Sequence, residues 1–127
     1  IKVEPKKQRV EDIQEGNYEV CLTRWGPDYA DPMTYLNMWI TDNNNNYGKW
    51  SDAEYDTIIA DCTTGQYIND AEARWNALYD AEQIIMEQAV IIPVYTKADA
   101  NMIKSNVSGI EFHPVALNRV YKNATKS

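Results

Sequence analysis

The sequence predicts an α/β fold, a mixed β-sheet flanked by helices, and three observations lead there. Apolar residues recur at helical spacing from Asp70 to about Gln88. Two short segments, Asn17 to Thr23 and Val90 to Tyr95, are rich in β-formers. Breakers such as Gly16, Gly26-Pro27 and Thr63-Thr64-Gly65 separate the two kinds of segment.

Taken in order, Ile1 to Glu4 reads as a short strand, Gln8 to Glu15 as a short helix stopped by Gly16, and Asn17 to Thr23 as a second strand. A strand, helix and strand joined this way predict parallel pairing of the two strands. Asp31-Pro32 has the form of a helix cap followed by a first helical residue, and Pro32 to Trp39 buries Met33, Leu36, Met38 and Trp39. The polar run Thr41 to Asn46 ends that helix. A third helix starts at Ser51, whose hydroxyl forms a capping box with Glu54, and stops at Thr63-Thr64-Gly65. Asn69, with Glu72 three residues on, caps the longest helix, whose core face is Trp75, Leu78, Tyr79, Ile85, Met86 and Ala89. Val90 to Tyr95 is short and apolar enough for a strand buried on both faces, with Pro93 forcing an edge, bulge or irregularity. Ala100 to Lys104 and Val107 to Phe112 are weaker strands, and the polar tail over 118–127 is expected to fray.

The 127 residues have room for one domain, and 44 % hydrophobic residues suffice for a modest core. Nine Tyr and four Trp against one Phe favour surfaces where a ring packs at one end and meets solvent or ligand at the other. A net charge of -7 with scattered Lys and Arg argues against nucleic acid, which needs a basic stripe. No run approaches the roughly 18 apolar residues that span a bilayer, and the first five residues resemble neither a signal peptide nor a lipidation site. Cys21 and Cys62 lack metal spacing and read as separate buried thiols. Asn106 and Asn123 each open an Asn-x-Ser/Thr triplet, which does not establish secretion.

Arg24-Trp25-Gly26-Pro27-Asp28-Tyr29-Ala30-Asp31-Pro32 carries the densest chemistry, an indole, an acid and a phenol on a strand-to-helix loop. Plain packing of Trp25 and Tyr29 over the core, with Asp28 as a solvated turn residue, competes with a ligand-binding role. Catalysis has weaker support. Asp28 and Asp31 resemble a carboxylate pair, with Glu19 or His113 to assist, but Asp31 is needed as a helix cap. His113, the single histidine, has no nucleophile in a recognisable setting, and no phosphate loop, metal ligand set or dinucleotide fingerprint occurs. Asp42 to Asn46 offers oxygens in alternation, yet an EF-hand needs glycine and glutamate where this chain has Tyr47 and Ala53. A carbohydrate-binding module would also use exposed Trp and Tyr, but the helices are too many for its usual sandwich.

The order Trp25 to Pro32, Tyr35-Leu36, Asn44-Asn45-Asn46-Tyr47, Tyr55-Asp56 and Ile92-Pro93-Val94-Tyr95 resembles the C-terminal part of the solute-binding proteins of peptide ABC importers, from about Val3 to about Val115. The resemblance implies that the chain is part of the second lobe of a two-lobed periplasmic-binding-protein-like fold, several times longer, that locks an extended peptide between lobes. It implies an exported location, periplasmic or as a lipoprotein outside the cytoplasmic membrane. The implied partners are a short peptide, the transporter permease and the N-terminal lobe of the same protein. No enzyme activity, cofactor or metal is implied; nickel, haem or sugar replaces peptide in some of the wider superfamily. Carried over residue by residue, Asp28 matches the aspartate that pairs with the ligand α-amino group. Trp25 walls the site, Tyr29 orients the loop, and Asn44 and Asn46 face the cleft. Gly26-Pro27 departs from the commoner small residue after the tryptophan, and Arg24 is placed to compete for Asp28. Lys97 and Asp99 fall on a cleft-lining segment and rank below these.

Overall fold

The computed structural model describes residues 1–115 and 118–127. Helix α1, Lys6–Glu15, ends at Gly16, whose φ of 75° is the left-handed conformation that glycine adopts without a Cβ penalty. Lys2 braces the entry to this helix by pairing with Glu4 and with Asp12. Helix α2, Met33–Leu36, continues as one 3-10 turn, Asn37–Trp39, so the helix expected over Pro32 to Trp39 tightens in its second half.

Helices α3, Ala53–Thr63, and α4, Ala71–Glu87, are capped one residue later than the sequence suggests. Asp52, not Ser51, accepts from the amides of Glu54 and Tyr55 at 2.9 and 3.0 Å, and Asp70, not Asn69, accepts from that of Ala73 at 2.9 Å. In both places the polar pair offers two candidates, and the carboxylate gains the stronger bond at a positive helix terminus. Gly65 ends α3 because a Cβ there would lie 2.6 Å from the Asp61 backbone.

The core lies between α2, α3 and α4. Met33, Leu36, Tyr55, Ile59, Cys62, Ala77, Leu78, Ala81 and Ile85 form it, with Trp39, Ile40 and Trp50 packed around them. Leu78 and Ile85 take the core positions expected of them. Trp75, Tyr79 and Met86 do not, being 63 %, 57 % and 40 % exposed. The buried residues Ala77, Leu78, Ala81 and Ile85 define a narrow stripe, and all four belong to the core cluster shared with α2 and α3. The rings therefore ride on the outer side. Ala89 lies beyond the helix end with φ 52°.

Helices are accompanied by two small antiparallel ladders, as an α/β class allows, with β1, Val107–Ser108, pairing β4, Thr125–Lys126. Likewise β2, Glu111–Phe112, pairs β3, Arg119–Val120. The tail expected to fray is thus tied back twice, since backbone ladder bonds do not require apolar side chains. Among the described residues the parallel pair expected from 1–4 and 17–23 is not formed, and Val90 to Tyr95 is not a buried strand. Val20, Leu22, Ile92, Val94 and Tyr95 are all at least 70 % exposed. These segments have strand composition without a neighbouring strand, and composition cannot supply the neighbour. The backbone of 17–23 is instead held at its two ends, where the Asn17 amide donates to the Asp12 carbonyl at 2.8 Å and Arg9 donates to the Leu22 carbonyl at 2.6 Å.

Candidate functional site

The loop before α2 is locally over-determined. The Asp31 carboxylate accepts from the Met33 amide at 2.9 Å, so it caps the helix as its sequence position predicts. Thr34, buried in the first turn, accepts the Asp28 amide on its Oγ1 at 3.0 Å. The Asp28 backbone is thereby fixed to α2 while the residue itself is exposed. Trp25 and Tyr29 flank it at 45 % and 47 % exposure. The described residues contain no ion pair between Arg24 and Asp28.

A residue that the sequence reading did not single out ties this loop down. Arg74 on α4 makes a two-pronged bond to Asp31, Nη1 to Oδ2 at 2.9 Å and Nη2 to Oδ1 at 3.0 Å. Its Nε donates to the Cys62 carbonyl at 2.9 Å. The guanidinium holds the Asp31 carboxyl below the usual carboxylate range, against a smaller opposing effect of burial. One signal for this was present in the sequence: an arginine in the opening turn of a helix sits against the dipole and calls for a partner. Ala30, Pro32, Ile68, Arg74 and Trp75 line an open pocket of about 480 Å³ behind the loop.

The second loop, Thr41 to Lys49, follows the 3-10 turn and bends through positive φ at Asp42 and Lys49. Asn43 shapes it by accepting the Asn45 amide and donating to the Asn37 carbonyl, both at 2.9 Å. Asn44 is exposed. Asn46 is not: it is 1 % exposed and its side-chain amide points inward. Its Nδ2 donates to the Trp50 carbonyl at 2.6 Å, with longer approaches to those of Ile40 and Trp39, while Oδ1 accepts the Trp50 amide. The expectation that Asn46 meets ligand is therefore corrected, because its polar atoms are consumed by the loop it closes.

Trp50 carries the loop onto the helices. Its Nε1 donates to Gln88 at 2.9 Å, and Gln88 Nε2 donates to the Asp52 cap at 2.8 Å. Its ring meets Tyr55 edge to face at 5.1 Å. Elsewhere, Lys97 and Asp99 pair with each other at 2.7 Å, and His113 lies 3.8 Å from Glu111. Cys62 is buried and Cys21 half-buried; both are free thiols, so the expectation of two separate thiols holds and that of burial fails for Cys21.

No family model matches the chain. It is 32 % identical, over 98 % of its length, to the dipeptide-binding protein of Lactococcus lactis subsp. cremoris, of which it covers 22 %. It is 35 % identical, over 77 % of its length, to the probable deoxycholate-binding periplasmic protein of Escherichia coli, of which it covers 18 %. All of it superposes, with a TM-score of 0.83 and 34 % identity, on 24 % of the substrate-binding domain of an oligopeptide ABC transporter from Bacillus anthracis. The chain thus spans about a fifth of the length of the curated relatives it matches.

Proposed function

We propose that this chain, a homologue of the solute-binding proteins of peptide ABC importers, is part of an exported protein that captures peptides and presents them to a membrane transporter. The observation that carries the reading is Asp28, an exposed carboxylate on a backbone fixed through Thr34 and flanked by Trp25 and Tyr29. Every peptide carries the same N-terminal ammonium, so a receptor tolerant of sequence gains by fixing that charge and leaving side chains in hydrated pockets. Asp28 takes the ammonium, Trp25 forms the adjacent wall, Tyr29 sets the loop and Asn44 serves the peptide backbone, an amide being able to donate and accept at once. A second lobe of the same protein supplies the facing wall, and the transporter permease receives the closed complex. The protein acts outside the cytoplasmic membrane, in a periplasm or anchored as a lipoprotein; no helix among the described residues is long and apolar enough to cross a membrane. The relatives bear the names of binding proteins, which favours capture over catalysis.

The test is calorimetric, on the longest native chain that carries this sequence. Asp28→Asn keeps the side-chain shape and removes the charge, and is expected to weaken binding by about 2–5 kcal/mol for a desolvated charge pair. N-acetylation of the peptide is expected to cost a similar amount, and the two losses are expected not to add, since they remove one interaction. Additive losses, or full-strength binding of the acetylated peptide, would place the ammonium elsewhere.

The relative named for deoxycholate favours a second reading, a small anionic amphiphile in place of peptide. Asp28 separates the two, because a carboxylate repels an anionic ligand and attracts an ammonium. Deoxycholate affinity that rises with Asp28→Asn would support the second reading.

A further inference from the structure

We infer that Arg74 is a positioning residue for the Asp28 loop, acting through Asp31 and Thr34 without touching ligand; the consequence for binding rests on the peptide reading above.

The connection runs through five bonds. The Arg74 fork grips both carboxylate oxygens of Asp31 at 2.9 and 3.0 Å. Oδ1 of Asp31 also takes the Met33 amide, and the Asp31 carbonyl takes the Thr34 amide at 3.1 Å. Thr34, 5 % exposed, then holds the Asp28 amide through Oγ1. The third anchor is the Cys62 carbonyl near the end of α3, so a single guanidinium joins the loop, α3 and α4. A planar fork is suited to this, since it fixes direction as well as distance, which the point charge of lysine does not.

Stability alone is a weak explanation for the pair. Its side chains remain 25 % and 31 % exposed, so solvent screens part of their attraction, and what the two-pronged geometry adds to its contribution to folding is a fixed direction. The arginine moreover sits in the opening turn of α4, where the helix dipole disfavours a cation. Orientation of the loop is the property that a two-pronged, three-anchor contact delivers and that a loose surface pair does not.

The experiment uses Arg74→Met, Arg74→Lys and Asp31→Asn in the longest native chain, with Ile85→Val as a mildly destabilised core control. Amide hydrogen exchange at Asp28 is measured without ligand, and affinity is measured for one peptide with a free and an acetylated N-terminus. Exchange at Asp28 is expected to quicken by about tenfold or more in Arg74→Met and Asp31→Asn, and to stay at the wild-type rate in Ile85→Val. The preference for the free amine is expected to shrink by about fivefold or more in the same two variants, with Arg74→Lys restoring only part of it. Unchanged exchange at Asp28 in folded Arg74→Met or Asp31→Asn overturns the inference, as does an equal change in Ile85→Val. If Arg74→Met does not fold, the other two variants carry the same comparison. Faster exchange combined with a wild-type protein that ignores acetylation supports the positioning role and sinks the ammonium reading, so the two failures are distinct.

Discussion

Asn46 and Tyr55 each donate a side-chain bond to a backbone carbonyl, Asn46 to that of Trp50 and Tyr55 to that of Leu36. Tyr55 is fully buried and donates to the Leu36 carbonyl at 2.5 Å. Tyr55→Phe keeps the ring and its edge contact with Trp50, and is expected to cost about 1–3 kcal/mol in urea unfolding by removing a buried hydrogen bond. Burial, and secondarily the Asp56 charge, push the Tyr55 hydroxyl above its ordinary value of 10.0. A raised folded value means that the unfolded chain releases the proton first. Stability is therefore expected to hold below about pH 10 and to fall above it, and Tyr55→Phe is expected to flatten that fall. A wild-type and variant with parallel stability profiles between pH 9 and 11 would count against this. Asn46→Ala is expected to cost a comparable about 1–3 kcal/mol, by freeing the Trp50 amide and carbonyl together, whereas Asn44→Ala is expected to leave the unfolding midpoint in place. The two asparagines look identical in sequence, since a run of four carries no periodicity that assigns a face. Only the positive φ at Asp42 and the tight return at Trp50 decide which one turns inward.

At the scale of elements, α4 shows what periodicity conveys and what it misses. The helix, its length and the burial of Leu78 and Ile85 follow from apolar spacing, but that spacing also admits a face rotated toward Trp75 and Tyr79. The buried face includes Ala77 and Ala81, which a scan for large apolar residues passes over. Trp75→Ala is accordingly expected to change stability by less than about 1 kcal/mol, against about 2–5 kcal/mol for Ile85→Ala, both read from urea midpoints. A large loss at Trp75 would mean that its ring is covered. The end of α4 offers the opposite sign of effect. Ala89 adopts φ 52° so that the Val90 amide can reach the Ile85 carbonyl at 2.9 Å, closing the helix in the way glycine usually does. Ala89→Gly is expected to raise stability by about 0.5–1 kcal/mol, because relief of the left-handed strain outweighs the added freedom of the unfolded chain. The loop at Trp25 to Pro32 was legible from its residue types. The place of Arg74 in an opening helix turn signals that it needs a partner, but not that the partner is Asp31, 43 positions away.

At the scale of the whole molecule, exposed area decides the behaviour. A compact monomer of 14.6 kDa exposes about 6,900 Å², whereas this chain exposes 10065 Å². The excess coincides with the extended segments, where Val20, Leu22, Ile92, Val94, Tyr95 and Met102 are open to solvent on backbone that pairs with no strand among the described residues. The sequence predicts strands here from β-forming residues, and among the described residues none forms, because propensity without a paired neighbour does not make a strand. Unpaired, apolar edges recruit other edges. The 127-residue chain on its own is therefore expected to associate with rising concentration in sedimentation velocity and to raise the fluorescence of an apolar dye, at ionic strengths that screen its net charge of -7. In a chain that also carries the proposed second lobe the same segments are expected to be covered, so the dye signal per mole should fall. Replacing Val20, Ile92 and Val94 together by Thr, which keeps β-propensity and removes apolar area, should suppress association of the isolated chain while leaving α2, α3 and α4 folded by circular dichroism. A chain that stays monomeric and dark to the dye without those changes would show that the extended segments find internal partners.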